Sequence, residues 1–181
     1  MRQLHSSQPS QEKSDRYLTG LDVAYVPTPK NIVRQMLLLA RLRRGELLYD
    51  LGAGDGRILI EGARDFGARC VGVEIDPERV ARLQERLAST KVEAMIIQGD
   101  LMQVDLSEAD VVAIYLSDSV NAKLAPKLSR ELKTGARVVS LDYALPDWKV
   151  EKEIPVASAG LGRKIYLYSV RSGGRSANPT V

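Results

Sequence analysis

The chain has very few of the residues that most often carry nucleophilic or metal chemistry: one cysteine and one histidine among 181 residues. A single cysteine, Cys70, cannot form an internal disulfide, so we expect a reducing, cytoplasmic location. Cys70 stands in an apolar run and is expected to be a buried strand residue rather than a reactive thiol. The only histidine is His5, close to the amino terminus.

Long apolar runs and an excess of charge are also lacking. No run approaches the ~20 apolar residues of a membrane span, and the polar start lacks the apolar stretch of a secretory signal. The net charge of +3 comes from the two ends, because residues 17–170 hold 21 basic and 21 acidic side chains. Nucleic-acid binders usually present a basic face. The missing apolar run predicts no membrane contact, and the neutral charge of residues 17–170 predicts no clear nucleic-acid surface. A local basic patch would not show in the net charge.

The length fits one domain. Residues 1–16, rich in Ser and Gln, and residues 171–181 are predicted to be flexible tails around a domain at 17–170. A monomer is expected.

Between the tails, helical and strand patterns alternate. Continuously apolar strands separated by amphipathic helices favour an α/β fold with a mostly parallel sheet covered by helices on both faces. The last two strands are predicted to form an antiparallel pair. The predicted strands are 47–51, 70–75, 92–98, 110–116, 136–143, 150–156 and 164–170; the predicted helices begin at Pro29, run over 56–66, begin at Pro77, and run over 119–132 with a break near Pro126.

A glycine-rich segment joins the first strand to the following helix. Residues 50–57 read DLGAGDGR, and such glycines let backbone amides approach a ligand closely. A dinucleotide enzyme would have G-x-G-x-x-G, with Arg57 replaced by glycine. The G-x-G-x-G form, with Asp50 two residues before the first glycine, resembles the nucleotide-binding loop of class I S-adenosylmethionine (AdoMet)-dependent methyltransferases. A loop that needs glycine only to turn is the alternative.

Acidic residues follow the next two strands. Glu74 ends the second strand, where a carboxylate can accept both ribose hydroxyls, while Asp76 is better placed to cap the helix from Pro77. Asp100 ends the third strand, where it could take the adenine amino group; it could equally be a turn residue. Three acids at successive strand ends would share the carboxyl edge of a parallel sheet, where such folds bind ligands.

Further segments carry a narrower resemblance over residues 22–170. They are YVPTP at 25–29, DLGAGDGR, VGVEID at 71–76, NAKLAPKL at 121–128, GARVVS at 135–140, DW at 147–148 and YLY at 166–168. Together they resemble the archaeal broad-specificity protein-lysine methyltransferases, and are similar to their mitochondrial relatives that methylate ATP synthase subunit c and the adenine nucleotide translocase. The chain lacks the anchoring or transit segment of the mitochondrial enzymes, so those substrates do not carry over.

The resemblance implies a Rossmann-like class I methyltransferase fold that binds AdoMet and releases S-adenosylhomocysteine, without a metal. It places Tyr25 and Thr28 against the donor, although Tyr25 could merely pack before the first helix. Tyr115 is placed near the methyl group, or is a plain core aromatic. Tyr115 and Asp118 are the candidate catalytic residues on the acceptor side, where either could help relay the proton of the amine. The donor-binding set is Tyr25, Thr28, Asp50, Gly52, Gly54, Gly56, Glu74, Ile75, Asp100, Leu101 and Tyr115.

These residues predict methylation of exposed lysines on protein substrates, in line from the sulfonium to a deprotonated amine. Such a transfer needs no histidine base. The small domain leaves an open site, which suits a protruding lysine, and the Asn/Asp-Pro-Pro-Tyr motif of many amide and adenine methyltransferases is absent after the fourth strand. An AdoMet enzyme acting on RNA or a small molecule is the first alternative, and a non-catalytic AdoMet-binding module the second.

Overall fold

The computed structural model describes residues 28–158 and 161–171. In chain order its elements alternate between helix and strand and end in two strands. They are α1 (Lys30–Leu39), β1 (Leu47–Leu51), α2 (Arg57–Phe66), β2 (Arg69–Glu74), α3 (Pro77–Thr90), β3 (Met95–Gln98), β4 (Val111–Ile114), α4 (Asp118–Glu131), β5 (Arg137–Leu141), β6 (Lys152–Ser158) and β7 (Leu161–Ser169).

All seven strands form one sheet in the order β3-β2-β1-β4-β5-β7-β6. Strands β1 to β5 run parallel, and β7 is antiparallel to both β5 and β6. The order in which the chain adds strands reverses after β3, because β4 lies on the other side of β1. The carboxyl ends of β1, β2 and β4 therefore meet at the position where such sheets bind ligands. The predicted seven-stranded sheet with an antiparallel closing pair is confirmed.

The apolar side chains of the strands belong to two layers, one on each face of the sheet. One layer joins α1, α2 and α3 to strand residues such as Leu48 and Cys70. The other joins α4 to strand residues such as Leu51 and Val73. The sheet is thus covered on both faces, as its continuously apolar strands predict. Cys70 is buried and free, as predicted.

Several predicted elements differ in extent from the structure. Strands β3 and β4 are each only four residues long, because the flanking residues 92–94 and 115–117 have no regular secondary structure. The predicted break near Pro126 is wrong: α4 continues through it. Proline removes its own N–H from the helix and its ring crowds the carbonyl of Ala122, but the burial of Leu124 and Leu128 on either side of Pro126 holds both halves against the sheet. Within the described residues, no helix combines the length and apolar character that crossing a membrane requires.

Candidate active site

The glycine-rich loop closes tightly over the end of β2. All three glycines have left-handed backbones, with φ of 86° at Gly52, 52° at Gly54 and 73° at Gly56. The N–H groups of Gly52 and Ala53 both donate to the Val73 carbonyl, at 2.8 and 2.9 Å. Gly56 is the N-cap of α2, and a β-carbon there would lie 2.0 Å from Leu83 Cδ1. The third glycine of the motif is therefore required both by its backbone and by the packing of α3.

Glu74 holds this loop through its side chain. Its carboxylate is only 3% exposed and accepts three backbone N–H groups: Gly54 at 2.9 Å, Ile75 at 3.0 Å and Asp76 at 3.1 Å. A carboxylate offers about four acceptor positions. These three bonds leave room for a further donor such as a ribose hydroxyl, and they tie the position of Glu74 to that of the loop.

Asp50 lies in β1 beneath the loop and is 3% exposed. Burial raises the pKa of its carboxyl to about 8, and the negative charges of Glu74 and Asp55 contribute. No hydrogen bond joins its carboxyl to another of the described residues. A positively charged ligand beside this carboxyl would stabilise its ionised form. The raised pKa therefore favours a cation at this position.

The loop is fastened from its outer side by two arginines. Arg57 donates to Asp55 from Nε to Oδ1 at 2.8 Å and from Nη2 to Oδ2 at 2.6 Å. Arg86 of α3 donates to the same carboxylate and, at 3.1 Å, to the Asp55 carbonyl. Burial alone would raise the pKa of Asp55, but the hydrogen bonds and charges of Arg57 and Arg86 outweigh it and lower the pKa to about 2.

Thr28, a predicted donor-side residue, is buried beside this loop. Its carbonyl accepts a hydrogen bond from Arg57 Nη1, which connects the chain before α1 to the glycine-rich segment. Tyr25, predicted for the same side, lies outside the described residues.

Three predicted residues follow Glu74 along this edge. Ile75 is 45% exposed, an unusual position for a large apolar side chain next to a buried carboxylate. Asp100 is exposed, and its Oδ1 accepts from Met102 N at 2.9 Å, so it makes the turn that the sequence left as its alternative role. Leu101 is half-buried against the α4-side core. Asp76 caps α3 as predicted, accepting from Glu78 N.

Tyr115 and Asp118, the predicted acceptor-side pair, differ in their surroundings. Tyr115 directly follows β4 and is half-buried. Burial raises the pKa of its hydroxyl, and the charge of Asp142 and hydrogen bonding to it add to the increase, while the charge of Arg163 opposes it. Asp118 is exposed in the first turn of α4, which Ser117 caps. The structure does not bring Asp118 into the group around Tyr115.

Sequence reasoning missed four residues of this region. Arg57 belongs to the DLGAGDGR segment that carries the resemblance, but no role could be assigned to it from the sequence, and Arg86 has no signal of its own within the predicted helix from Pro77. Asp142 follows the apolar β5 as Glu74 ends β2, and that position was its one available signal. Arg163 had no signal in the sequence, because its position depends on the long-range pairing of β7 with β5.

The order of the sheet, the glycine-rich loop and the acidic end of β2 define a Rossmann-like class I methyltransferase fold. Residues 50–152 match the family described as the ANTKMT methyltransferase domain. The chain is 42% identical over 151 residues to a protein-lysine N-methyltransferase of Saccharolobus islandicus, covering 82% of this chain and 94% of that protein. It is 38% identical to the mouse adenine nucleotide translocase lysine N-methyltransferase, over 89% of this chain and 67% of that one.

Among solved structures, the chain is similar to one described as an RNA methyltransferase from Salinibacter ruber in complex with S-adenosylhomocysteine. The TM-score is 0.76 and the identity 42%, over 81% of this chain and 94% of that one. The chain belongs to the ANTKMT methyltransferase domain family, and its relatives include protein-lysine N-methyltransferases.

Proposed function

We propose that this chain is an AdoMet-dependent protein-lysine N-methyltransferase. The observation that carries the donor part of the proposal is the buried pair Asp50 and Glu74 under and beside the glycine-rich loop. Both are acidic, burial raises the pKa of Asp50 to about 8, and the donor is a cationic nucleoside. The acceptor part is supported by the 42% identity to a protein-lysine methyltransferase across nearly all of that protein.

The residues fit the chemical groups of AdoMet. Glu74 has an acceptor position left for a ribose hydroxyl, and the exposed Ile75 offers an apolar surface for the adenine ring. Asp100 is free on one carboxylate oxygen to accept from the exocyclic amine, while Leu101 lies beside it. The glycines of the loop leave the backbone bare where the amino-acid part would pass. When bound, AdoMet supplies a methyl group on a sulfonium that is open to in-line attack.

The protein's contribution is to align the acceptor and keep it neutral. A well-oriented pair of reactants gains up to ~7–11 kcal/mol over the same groups free in solution. A lysine amine has a pKa of about 10.4, so the site must favour its neutral form before it attacks. Desolvation beside a sulfonium does this, because both disfavour a second cation. Tyr115, at the end of β4, is the side chain proposed to contact the amine; Asp118 is the weaker candidate.

RNA is the second candidate acceptor, because the Salinibacter ruber relative of equal identity is described as an RNA methyltransferase. Charge favours protein: residues 17–170 are balanced, and a phosphate-binding surface would be expected to be basic.

The test is transfer of label from methyl-labelled AdoMet to separate pools of total protein, total RNA and small metabolites, followed by mass spectrometry of the modified residue. Methyl-lysine in the protein pool is expected. Label in RNA alone would replace lysine with RNA as the acceptor, and AdoMet binding without transfer to any pool would indicate a binding module. At a limiting AdoMet concentration, Glu74→Gln, which keeps the size of the side chain, is the control with reduced transfer, and the exposed Glu78→Gln is the control with normal transfer.

A further inference from the structure

Three side chains from distant parts of the sequence meet on the acceptor side of the site. Tyr115 directly follows β4, Asp142 directly follows β5, and Arg163 is the third residue of β7. Because β7 is antiparallel to β5, with Leu141 opposite Ile165, its beginning lies at the same edge of the sheet as the carboxyl ends of β4 and β5.

Arg163 connects the other two. Its guanidinium carbon lies 5.0 Å from the centroid of the Tyr115 ring, a cation–π distance. Its Nε donates to Asp142 Oδ2 at 2.9 Å, and Nη2 lies 2.8 Å from the same oxygen as an ion pair. Arg163 is only 8% exposed. A guanidinium so deeply buried needs its partner, since burying an unpaired charge is costly.

The backbone at Asp142 is held in an unusual conformation. Its φ is +63°, a left-handed value that residues other than glycine seldom adopt. Its N–H donates to the Lys164 carbonyl at 2.8 Å. The next carbonyl, that of Tyr143, accepts from Asn121 Nδ2 at 3.0 Å and also from Ser140 Oγ. Such conformations persist where the surroundings over-determine them, often near functional sites.

The cluster keeps the Tyr115 phenol protonated. Burial raises the pKa of the phenol, and the charge of Asp142 raises it further. A protonated phenol still has oxygen lone pairs that accept from another donor. The charges of Asp142 and Arg163 cancel, so the pair would not stabilise an ammonium, as an unpaired carboxylate would.

We propose that Asp142 and Arg163 are positioning residues that hold the Tyr115 hydroxyl as a hydrogen-bond acceptor for the N–H of the substrate amine. The inference rests on the proposed function in placing a lysine amine beside Tyr115. The carboxylate acts on the phenol through its charge and anchors the guanidinium over the ring. The guanidinium fixes the carboxylate, covers the ring and neutralises the charge.

The first experiment needs no methyl acceptor. Isotope-labelled tyrosine in the full chain is titrated by NMR, with Tyr115→Phe identifying the Tyr115 signal. The charged and titratable groups that act on this phenol are Asp142, Arg163 and Tyr143. Asp142→Asn removes a negative charge and should lower the pKa of Tyr115, whereas Glu78→Gln should leave it unchanged. An unaltered Tyr115 titration in Asp142→Asn would overturn the inference, whether or not lysine is the acceptor.

The second experiment measures turnover on a peptide carrying the lysine that mass spectrometry identifies. Tyr115→Phe, Asp142→Asn and Arg163→Lys should each lower kcat, by on the order of 10²-fold for the phenylalanine variant. The Kd for AdoMet should stay within about twofold in Asp142→Asn and Arg163→Lys, because these two residues act through Tyr115 on the acceptor side. The double variant Tyr115→Phe with Asp142→Asn should lose no more than Tyr115→Phe alone. If the kcat loss of the double variant were the product of the two single losses, or if AdoMet binding fell in parallel in all variants, the cluster would only support the fold.

Discussion

The backbone N–H of Gly54 donates a 2.9 Å hydrogen bond to Oε2 of Glu74, joining the centre of the glycine-rich loop to the end of the neighbouring strand. The same carboxylate receives the N–H groups of Ile75 and Asp76 through its other oxygen. One buried side chain therefore fixes the shape of the loop and also faces the proposed ribose site. Loss of this residue should affect both.

The first prediction concerns Glu74→Gln. The glutamine has nearly the same size, but its amide places N–H donors where the carboxylate had only acceptors, opposing Gly54. We expect AdoMet to bind about 10- to 100-fold more weakly, since hydrogen bonds to charged groups are worth ~1.5–3 kcal/mol and 1.4 kcal/mol is tenfold. Isothermal titration calorimetry measures this loss.

Glu78→Gln is the matched control, because its side chain is 83% exposed on α3, close in sequence to Glu74. It should bind AdoMet normally. Glu74→Ala should in addition lower the free energy of unfolding, because it leaves three N–H groups without their acceptor. Normal affinity in Glu74→Gln would place the donor elsewhere.

The meeting of Glu74 and the glycine-rich loop at one edge of the sheet could be predicted from sequence because these residues are local. Glu74 ends an apolar strand, the loop follows another, and parallel strands bring such positions to one edge. The role of Glu74 in holding the loop could not be predicted, since it depends on the direction of its side chain. Sequence alone could not distinguish the role of Asp100 in a turn from its proposed adenine contact, because both predict an aspartate directly after a strand.

The cluster of Tyr115, Asp142 and Arg163 could not be predicted in the same way. Arg163 reaches Tyr115 because β7 inserts between β5 and β6 in the antiparallel direction, a long-range pairing without a local signal. Pro126 shows the opposite error, in which a strong local signal predicts a break. Tertiary burial of Leu124, Ala125 and Leu128 keeps α4 continuous despite the missing N–H.

The second prediction separates two reasons why residue 56 is glycine: its left-handed backbone and the lack of space beside Leu83. Gly56→Ala would strain a backbone at φ +73° and place a β-carbon 2.0 Å from the fully buried Leu83. Gly135→Ala is the matched control, because its φ is +89° but nothing lies within 4 Å of the new β-carbon. We expect Gly56→Ala to lower the free energy of unfolding by about 1–3 kcal/mol more than Gly135→Ala, the usual cost of overpacking.

Urea unfolding of both variants measures this difference. Adding Leu83→Ala to Gly56→Ala should cost less than the sum of the two single changes, because the shortened side chain removes the clash. Equal losses in Gly56→Ala and Gly135→Ala would show that Leu83 moves aside freely and that only the backbone requires glycine.

The third prediction follows from the arginines around Asp55. Its pKa in the folded protein is lowered to about 2 from an ordinary 3.8. A lowered folded pKa means that the contribution to stability is present above pH ~4 and is lost as pH falls towards ~2. Asp55→Asn should therefore lower the urea midpoint at neutral pH, and its deficit relative to the wild type should shrink in acid.

Glu85→Gln, at an exposed position of α3, is the control and should follow the wild type at every pH. Arg86→Gln should reproduce part of the Asp55→Asn deficit, because Arg86 donates to both the carboxylate and the carbonyl of Asp55. A deficit that stays constant from neutral to acid pH would mean that the ion pairs add nothing to stability.

The fourth prediction concerns the proton on Asp50. Its pKa is raised to about 8 in the folded protein, against 3.8 ordinarily. A raised folded pKa means that the contribution to stability is fully present below pH ~4 and is lost as pH rises through ~8. The free energy of unfolding of the ligand-free protein should fall across this window by up to about 1.4 kcal/mol per pH unit, and Asp50→Asn should remove that slope.

AdoMet binding should displace the same proton, because a cation beside Asp50 favours the carboxylate. Below pH ~8 the wild type should release up to about one proton on binding, so its affinity should rise with pH by up to about tenfold per unit. Calorimetry in buffers of different ionisation enthalpy counts this proton. Titration of the ligand's own amine is common to the wild type and Asp50→Asn, so the difference between them isolates Asp50. An identical proton count in the two proteins would mean that the cation binds away from Asp50, and the electrostatic basis of the proposed donor site would be lost.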